Sequence, residues 1–239
     1  MPADLQDQAR ELDKATQQLL ETAERLHPGG TEEDSLLPGW SRGHVLTHLA
    51  RNADGMRNLL TWARTGRPTP MYASARHRAE DIEAGAGRPP GVVLADLRES
   101  AGLLASDIDA MPHAAWSQEV RFLDGEAFPA ERLLWVRLKE VEIHHLDLAA
   151  GRTPDDWPTE FAQRALTETV GSFSGREDGW AVHLFDVDTG AHHLVGHPTM
   201  ATPRIHGTAG HLLVWLIGRG AVADVSTDSG LLPTPPAWS

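Results

Sequence analysis

The chain has 239 residues, 41% hydrophobic, with 34 acidic against 21 basic side chains, a formal net charge of -13 and no cysteine. That length suits one large domain or two modest ones, and the acidic balance argues against nucleic acid or an anionic membrane as a partner. Without cysteine there is no disulfide, no thiolate metal ligand and no cysteine nucleophile from the protein itself. The first residues are polar and lack the apolar core of a signal peptide, and no apolar run approaches the length of a membrane span. A soluble, cytoplasmic protein is the expectation.

Residues 3–27 read as a long amphipathic helix, because Leu5, Leu12, Leu19 and Leu26 fall seven apart on one stripe. His27-Pro-Gly-Gly30 stops it. Ser41 is placed to cap a second helix running to about Thr65 and ending at Gly66, with Trp40 packing back on its first turns. Val45, His48, Leu49, Asn52 and Met56 share one face of that helix, so His48 is expected among apolar neighbours. A core histidine bonded to a carbonyl is the plain reading of such a residue. Residues 67–90, punctuated by Pro68, Pro70, Gly85, Gly87, Pro89 and Pro90, read as a long connection carrying Tyr72, Arg76, Arg78 and Arg88. Connections of that length are more often functional than idle.

Residues 91–112 return to helix, and a polar segment leads to Phe128-Pro129, expected to open a fourth helix that ends at Gly151. Glu140 and His144, four apart, project from one side of this helix. Glu142 and His145, three apart, form a competing pair, and spacing alone does not choose between them; a solvated polar face with no metal is the bland alternative. Four long helices in about 150 residues make a four-helix bundle, which places metal sites between facing helices. His48 with Glu140 and His144 would supply two imidazoles and a carboxylate, a set that leaves positions open for water or substrate.

After Gly151 the pattern changes. Arg152 to Pro158 reads as a linker, Thr159 to Ser172 as a helix, Trp180–Val187 and Ala191–Val195 as paired strands around a turn at Asp188-Thr-Gly190, and Ala201–His206 as a third strand. Thr208 to Ile217 is a short apolar helix, Val222–Val225 a last strand, and the Pro-rich tail is not helical. The fold class expected is mainly α with a smaller α+β domain: a four-helix bundle over 1–152, then a small C-terminal α/β domain over 155–239.

Several segments carry a resemblance. Pro38-Gly-Trp-Ser-Arg-Gly-His-Val-Leu-Thr-His48, Met71-Tyr-Ala-Ser74, Leu134 through Leu148, Gly218-Arg-Gly220 and the tail ending in Trp238 resemble the mycothiol-dependent maleylpyruvate isomerases of actinobacteria. The first and third segments also occur across the wider group of DinB-like metal proteins; the others narrow the resemblance to the isomerases. It implies a DinB-like bundle, zinc held by His48, Glu140 and His144, and a functional arginine at Arg219 in a C-terminal domain that contributes to the active site. It thereby selects Glu140/His144 over Glu142/His145.

The activity implied is the change of maleylpyruvate to fumarylpyruvate in gentisate degradation, part of aromatic breakdown. A thiolate that adds to the double bond makes it single, lets it rotate, and leaves. With no cysteine in the chain, mycothiol would bring the thiol, and zinc would keep it deprotonated. Arg219 is the first candidate to hold the dicarboxylate substrate and stabilise the enolate; Arg78 and Tyr72, in the 71–78 loop, are further substrate-binding candidates. The alternatives are a mycothiol S-transferase that conjugates the thiol to electrophiles and a non-catalytic zinc-binding module.

Overall fold

The structure, a computed structural model, describes residues 2–122, 125–173, 179–197, 199–219 and 224–237. It divides into two compact units, Met1–Ala150 and Gly151–Ser239. Among the described residues no helix is long and apolar enough to cross a membrane.

The first unit holds α1 (Ala3–Glu24), α2 (Arg42–Thr65), α3 (Ala75–Ala86), α4 (Pro90–Asp109) and α5 (Arg132–Asp147). The long helices α1, α4, α2 and α5 pack in a closed ring of neighbours: α1 on α4, α4 on α2, α2 on α5 and α5 on α1. Leu5, Leu12 and Leu19 bury the α1 stripe in the core, while Leu26 lies beyond the helix end. Ser41 caps α2 by accepting from the His44 amide, and His44 accepts in return from the Ser41 amide. The helix ends on Gly66, whose φ of 71° is the left-handed value that glycine takes without steric cost.

Two sequence expectations are corrected here. The segment 67–90 is not an open connection: it contains α3, capped by Ser74 and packed on α2. Small residues permit that packing. A Cβ on Gly85 would meet the Thr47 methyl at 2.3 Å, one on Gly43 the Ala86 carbonyl oxygen at 2.5 Å, and one on Gly55 the Met71 side chain at 2.6 Å. Of the glycines that read as loop punctuation, Gly85 is a contact point of this close helix approach, met by Gly43 on the α2 side, whereas a Cβ on Gly87 would meet nothing within 4 Å. The second correction concerns Phe128-Pro129, which does not open a helix. It is strand β2, paired with β1 (Glu119–Val120), and α5 starts at Arg132.

The far end of α5 also differs from the expected stop at Gly151. The helix ends at Asp147, with Ala149 at a φ of 48° turning the chain away. The last carbonyls are taken by α2 and the loop before it. Leu36 N–H donates to the Asp147 oxygen, and Arg42 donates to Leu148 and Ala149 at 2.6 and 3.0 Å. These bonds satisfy orphan acceptors that would otherwise need another turn of helix or water. They also pin the last turn of α5 beside the first turns of α2.

The second unit contains α6 (Thr159–Phe173), β3 (Val182–Asp186), β4 (His192–Val195), β5 (Arg204–Gly207), α7 (Ala209–Leu216) and β6 (Ser226–Thr227). The sheet runs β4-β3-β5-β6, with β3 parallel to β5 and the other neighbours antiparallel. Val182, Leu184 and Ile205 turn one face inward, and α6 packs on α7. The third strand thus starts at Arg204, inside the expected 201–206. Of the strand expected at Val222–Val225, the first two residues lie outside the described residues and Asp224 and Val225 are not strand; β6 follows at Ser226–Thr227. Gly220 and Trp238 also lie outside them.

Candidate metal centre

His48 projects from the second turn of α2 and is 3% exposed. Glu140 and His144 project from α5 and are half-buried. His48 Nε2 lies 3.0 Å from Glu140 Oε2 and 3.1 Å from His144 Nε2, and His144 Nε2 lies 3.6 Å from the same carboxylate oxygen. Three donor atoms therefore converge on one small volume. Ligand atoms about 2.1 Å from a tetrahedral zinc sit about 3.4 Å from one another, so the triangle has the size of one face of such a site.

The protonation states suit a cation as well. Burial holds the His48 imidazole down to about 4, against the opposing pull of its bond to Glu140, so it is neutral near pH 7. Burial alone would raise Glu140; the His48 hydrogen bond, both imidazoles and Arg137 outweigh it and take the carboxyl down to about 2. A neutral imidazole and an ionised carboxylate are the forms that bind a divalent ion.

Neighbouring groups orient the three. His144 Nδ1 lies 2.8 Å from Asp147 Oδ2, and Asp147 is fully buried. A carboxylate on the far nitrogen fixes the ring and leaves Nε2 free to ligate. Trp40 meets the His48 ring edge-on at 5.7 Å. Arg78, from α3, brings Nη2 to 3.1 Å from His48 Nδ1, and its guanidinium lies 5.7 Å from the Tyr72 ring centre. Burial raises the Tyr72 hydroxyl, partly offset by the Arg78 charge. The structure thus brings Tyr72 and Arg78 to the edge of the His48–Glu140–His144 cluster.

The competing pair goes elsewhere. Glu142 and His145 are 3% and 2% exposed, and His145 Nε2 lies 2.8 Å from Thr22 Oγ1 of α1. Neither pair is a solvated face. Arg219 follows α7 in the second unit, after Gly218 at a φ of 69°. Its Nη1 donates to the Ile217 carbonyl oxygen at 2.9 Å, the contact of a helix C-terminal cap. Sequence reasoning missed Asp147 and Arg137. Asp147 had a signal, since it stands three residues after His144 on the same helix.

Fold and cluster together define a helical protein with a three-residue site of divalent-metal type. The sequence profile described as the mycothiol maleylpyruvate isomerase N-terminal domain matches residues 12–149, and the chain belongs to that family. Two solved structures are similar over the whole chain. One is a crystal structure of the mycothiol-dependent maleylpyruvate isomerase, with 29% identity and a TM-score of 0.93, covering 100% of this chain and 98% of that one. The other is a histidine-to-alanine mutant under the same description, with 28% identity, a TM-score of 0.93 and the same coverage. No curated protein sequence matches the chain.

Proposed function

We propose that this chain, an isomerase by its family, converts maleylpyruvate to fumarylpyruvate with mycothiol as thiol cofactor, in gentisate degradation. The observation that carries the reading is the convergence of His48, Glu140 and His144 within ligand distance of one another, in a chain with no thiol of its own. Those three residues would hold zinc. Zinc, when bound, would act as a Lewis acid that keeps a thiol deprotonated near neutral pH.

Cis-to-trans change about a carbon–carbon double bond requires that bond to become single. A thiolate adding to one alkene carbon does this: the carbon–sulfur bond forms, and the π pair moves onto the neighbouring carbonyl as an enolate. After rotation the enolate pair returns, the carbon–sulfur bond breaks and the thiolate leaves, so no proton or electron is gained or lost overall. The chain's residues then have three tasks. Asp147 keeps His144 oriented through its Nδ1. Arg78 supplies a cation beside the cluster for a substrate carboxylate or the enolate oxygen, with Tyr72 beside it. Arg219, from the C-terminal unit, is assigned to the other carboxylate, which a planar guanidinium grips bidentately.

A coupled assay tests the reading. Fumarylpyruvate formed with catalytic mycothiol supports it; stoichiometric thiol consumption supports a mycothiol S-transferase, and no turnover supports a zinc-binding module.

A further inference from the structure

Between α1 and α4 runs a groove of about 740 Å³, within the range of small-molecule sites. Leu12 and Leu20 of α1 and Leu104 and Ile108 of α4 form its apolar walls, and all four belong to the core. Arg137 of α5 also lines it and is 2% exposed. Among the described residues its hydrogen bonds run through one guanidinium nitrogen: Nη1 donates to the Leu49 carbonyl oxygen at 3.0 Å and to Asn52 Oδ1 at 2.7 Å.

Among the described residues no carboxylate lies within ion-pair distance of Arg137. Glu140 and Asp54 act on it only through their fields, and burial lowers it to about 10, so it is charged at neutral pH. A buried charge with neutral hydrogen-bond partners and no counter-ion is costly. The cations at the rim are already paired, Arg10 with Asp7 and Arg98 with Glu24. Asp13 and Asp109 place negative charge at the mouth. Anion recognition therefore falls to Arg137, and the acidic rim disfavours a second negative group on the ligand.

We propose that this groove binds an apolar monocarboxylate, a medium-chain or aryl carboxylic acid, with its carboxylate on Arg137 and its hydrocarbon along Leu12, Leu20 and Leu104. The site is distinct from the His48–Glu140–His144 cluster, and it takes a monoanion rather than a dicarboxylate.

Calorimetric titration of the zinc-loaded protein with octanoate, and in parallel with 1-octanol, tests this. Octanoate binds one per chain, and the alcohol binds at least about tenfold more weakly. Ala105→Trp fills the groove from an exposed position on α4 and weakens octanoate at least about tenfold, with zinc content and melting temperature unchanged. Arg137→Met brings the acid and the alcohol to equal affinity. Because Arg137 ties α5 to α2, Ala105→Trp decides the matter if Arg137→Met does not fold. Absence of octanoate binding, equal affinity for the two ligands in the unaltered protein, or octanoate binding untouched by Ala105→Trp overturns the proposal; the last would put the acid on the metal centre instead.

Discussion

His48, Glu140 and His144 differ from His145 in what each would lose on truncation to Ala. Any of the first three removed leaves two ligands, and metal analysis of the purified variant should show most of the zinc gone. His145→Ala should keep its zinc yet melt lower, because it abandons a buried bond to Thr22; zinc lost from His145→Ala but kept by His144→Ala would reverse the α5 assignment. Asp147→Asn keeps the shape and removes the charge behind His144, and should weaken zinc about 10–100-fold in a chelator competition. The pH dependence follows from His48. Its folded pKa, about 4, lies below the ordinary 6.5, so between those values the unfolded chain takes up a proton that the folded chain refuses. Its contribution is therefore full above about 6.5 and is lost as pH falls toward about 4, at up to about 1.4 kcal/mol per pH unit. Denaturant unfolding of the metal-free protein should show this slope, and His48→Asn should lack it. Arg219→Lys keeps a cation at the end of α7 but loses the planar fork. If Arg219 grips a carboxylate, kcat/KM falls at least about tenfold with zinc and thermal stability retained; if it only caps α7 through Ile217, kinetics stay unchanged.

Helix α3 shows how an element is lost to a sequence reading. Its segment is bracketed by prolines and glycines, a local signal that by itself specifies loop. The physical role of Gly85 and Gly43 is contact: α3 and α2 approach too closely for a Cβ at either position. Gly85→Ala would gain helix propensity in an isolated peptide, yet here it should lower the melting temperature, because the Thr47 methyl occupies the space. A melting temperature raised by Gly85→Ala would mean that α3 is not seated on α2. This seat matters for the site, since α3 carries Arg78 and Thr47 adjoins His48. By contrast α2 was legible at both ends, because Ser41 and Gly66 are local signals that need no tertiary information. The α5 boundaries were not, because its start depends on the β1–β2 pairing and its end on Arg42, more than 100 residues away in sequence.

At the scale of the whole chain, the boundary between the two units falls at Ala150–Gly151, where the helical periodicity of α5 gives way to the Arg152–Pro158 segment ahead of α6. The metal-type cluster was legible because its two α5 members are one turn apart and its α2 member lies on a buried stripe. Spacing left Glu142/His145 open, and family resemblance chose. The groove over Arg137 was not legible, because a gap between α1 and α4 is a property of packing and has no local sequence signal. The absence of cysteine carries the central mechanistic claim, since a thiol route then requires a thiol from outside. The most direct test follows maleylpyruvate with the purified, metal-analysed protein, with and without mycothiol and with zinc chelated. The account predicts one equivalent of zinc, fumarylpyruvate formed only when mycothiol and zinc are both present, and mycothiol recovered unconsumed. Isomerisation in the absence of any low-molecular-weight thiol would contradict it.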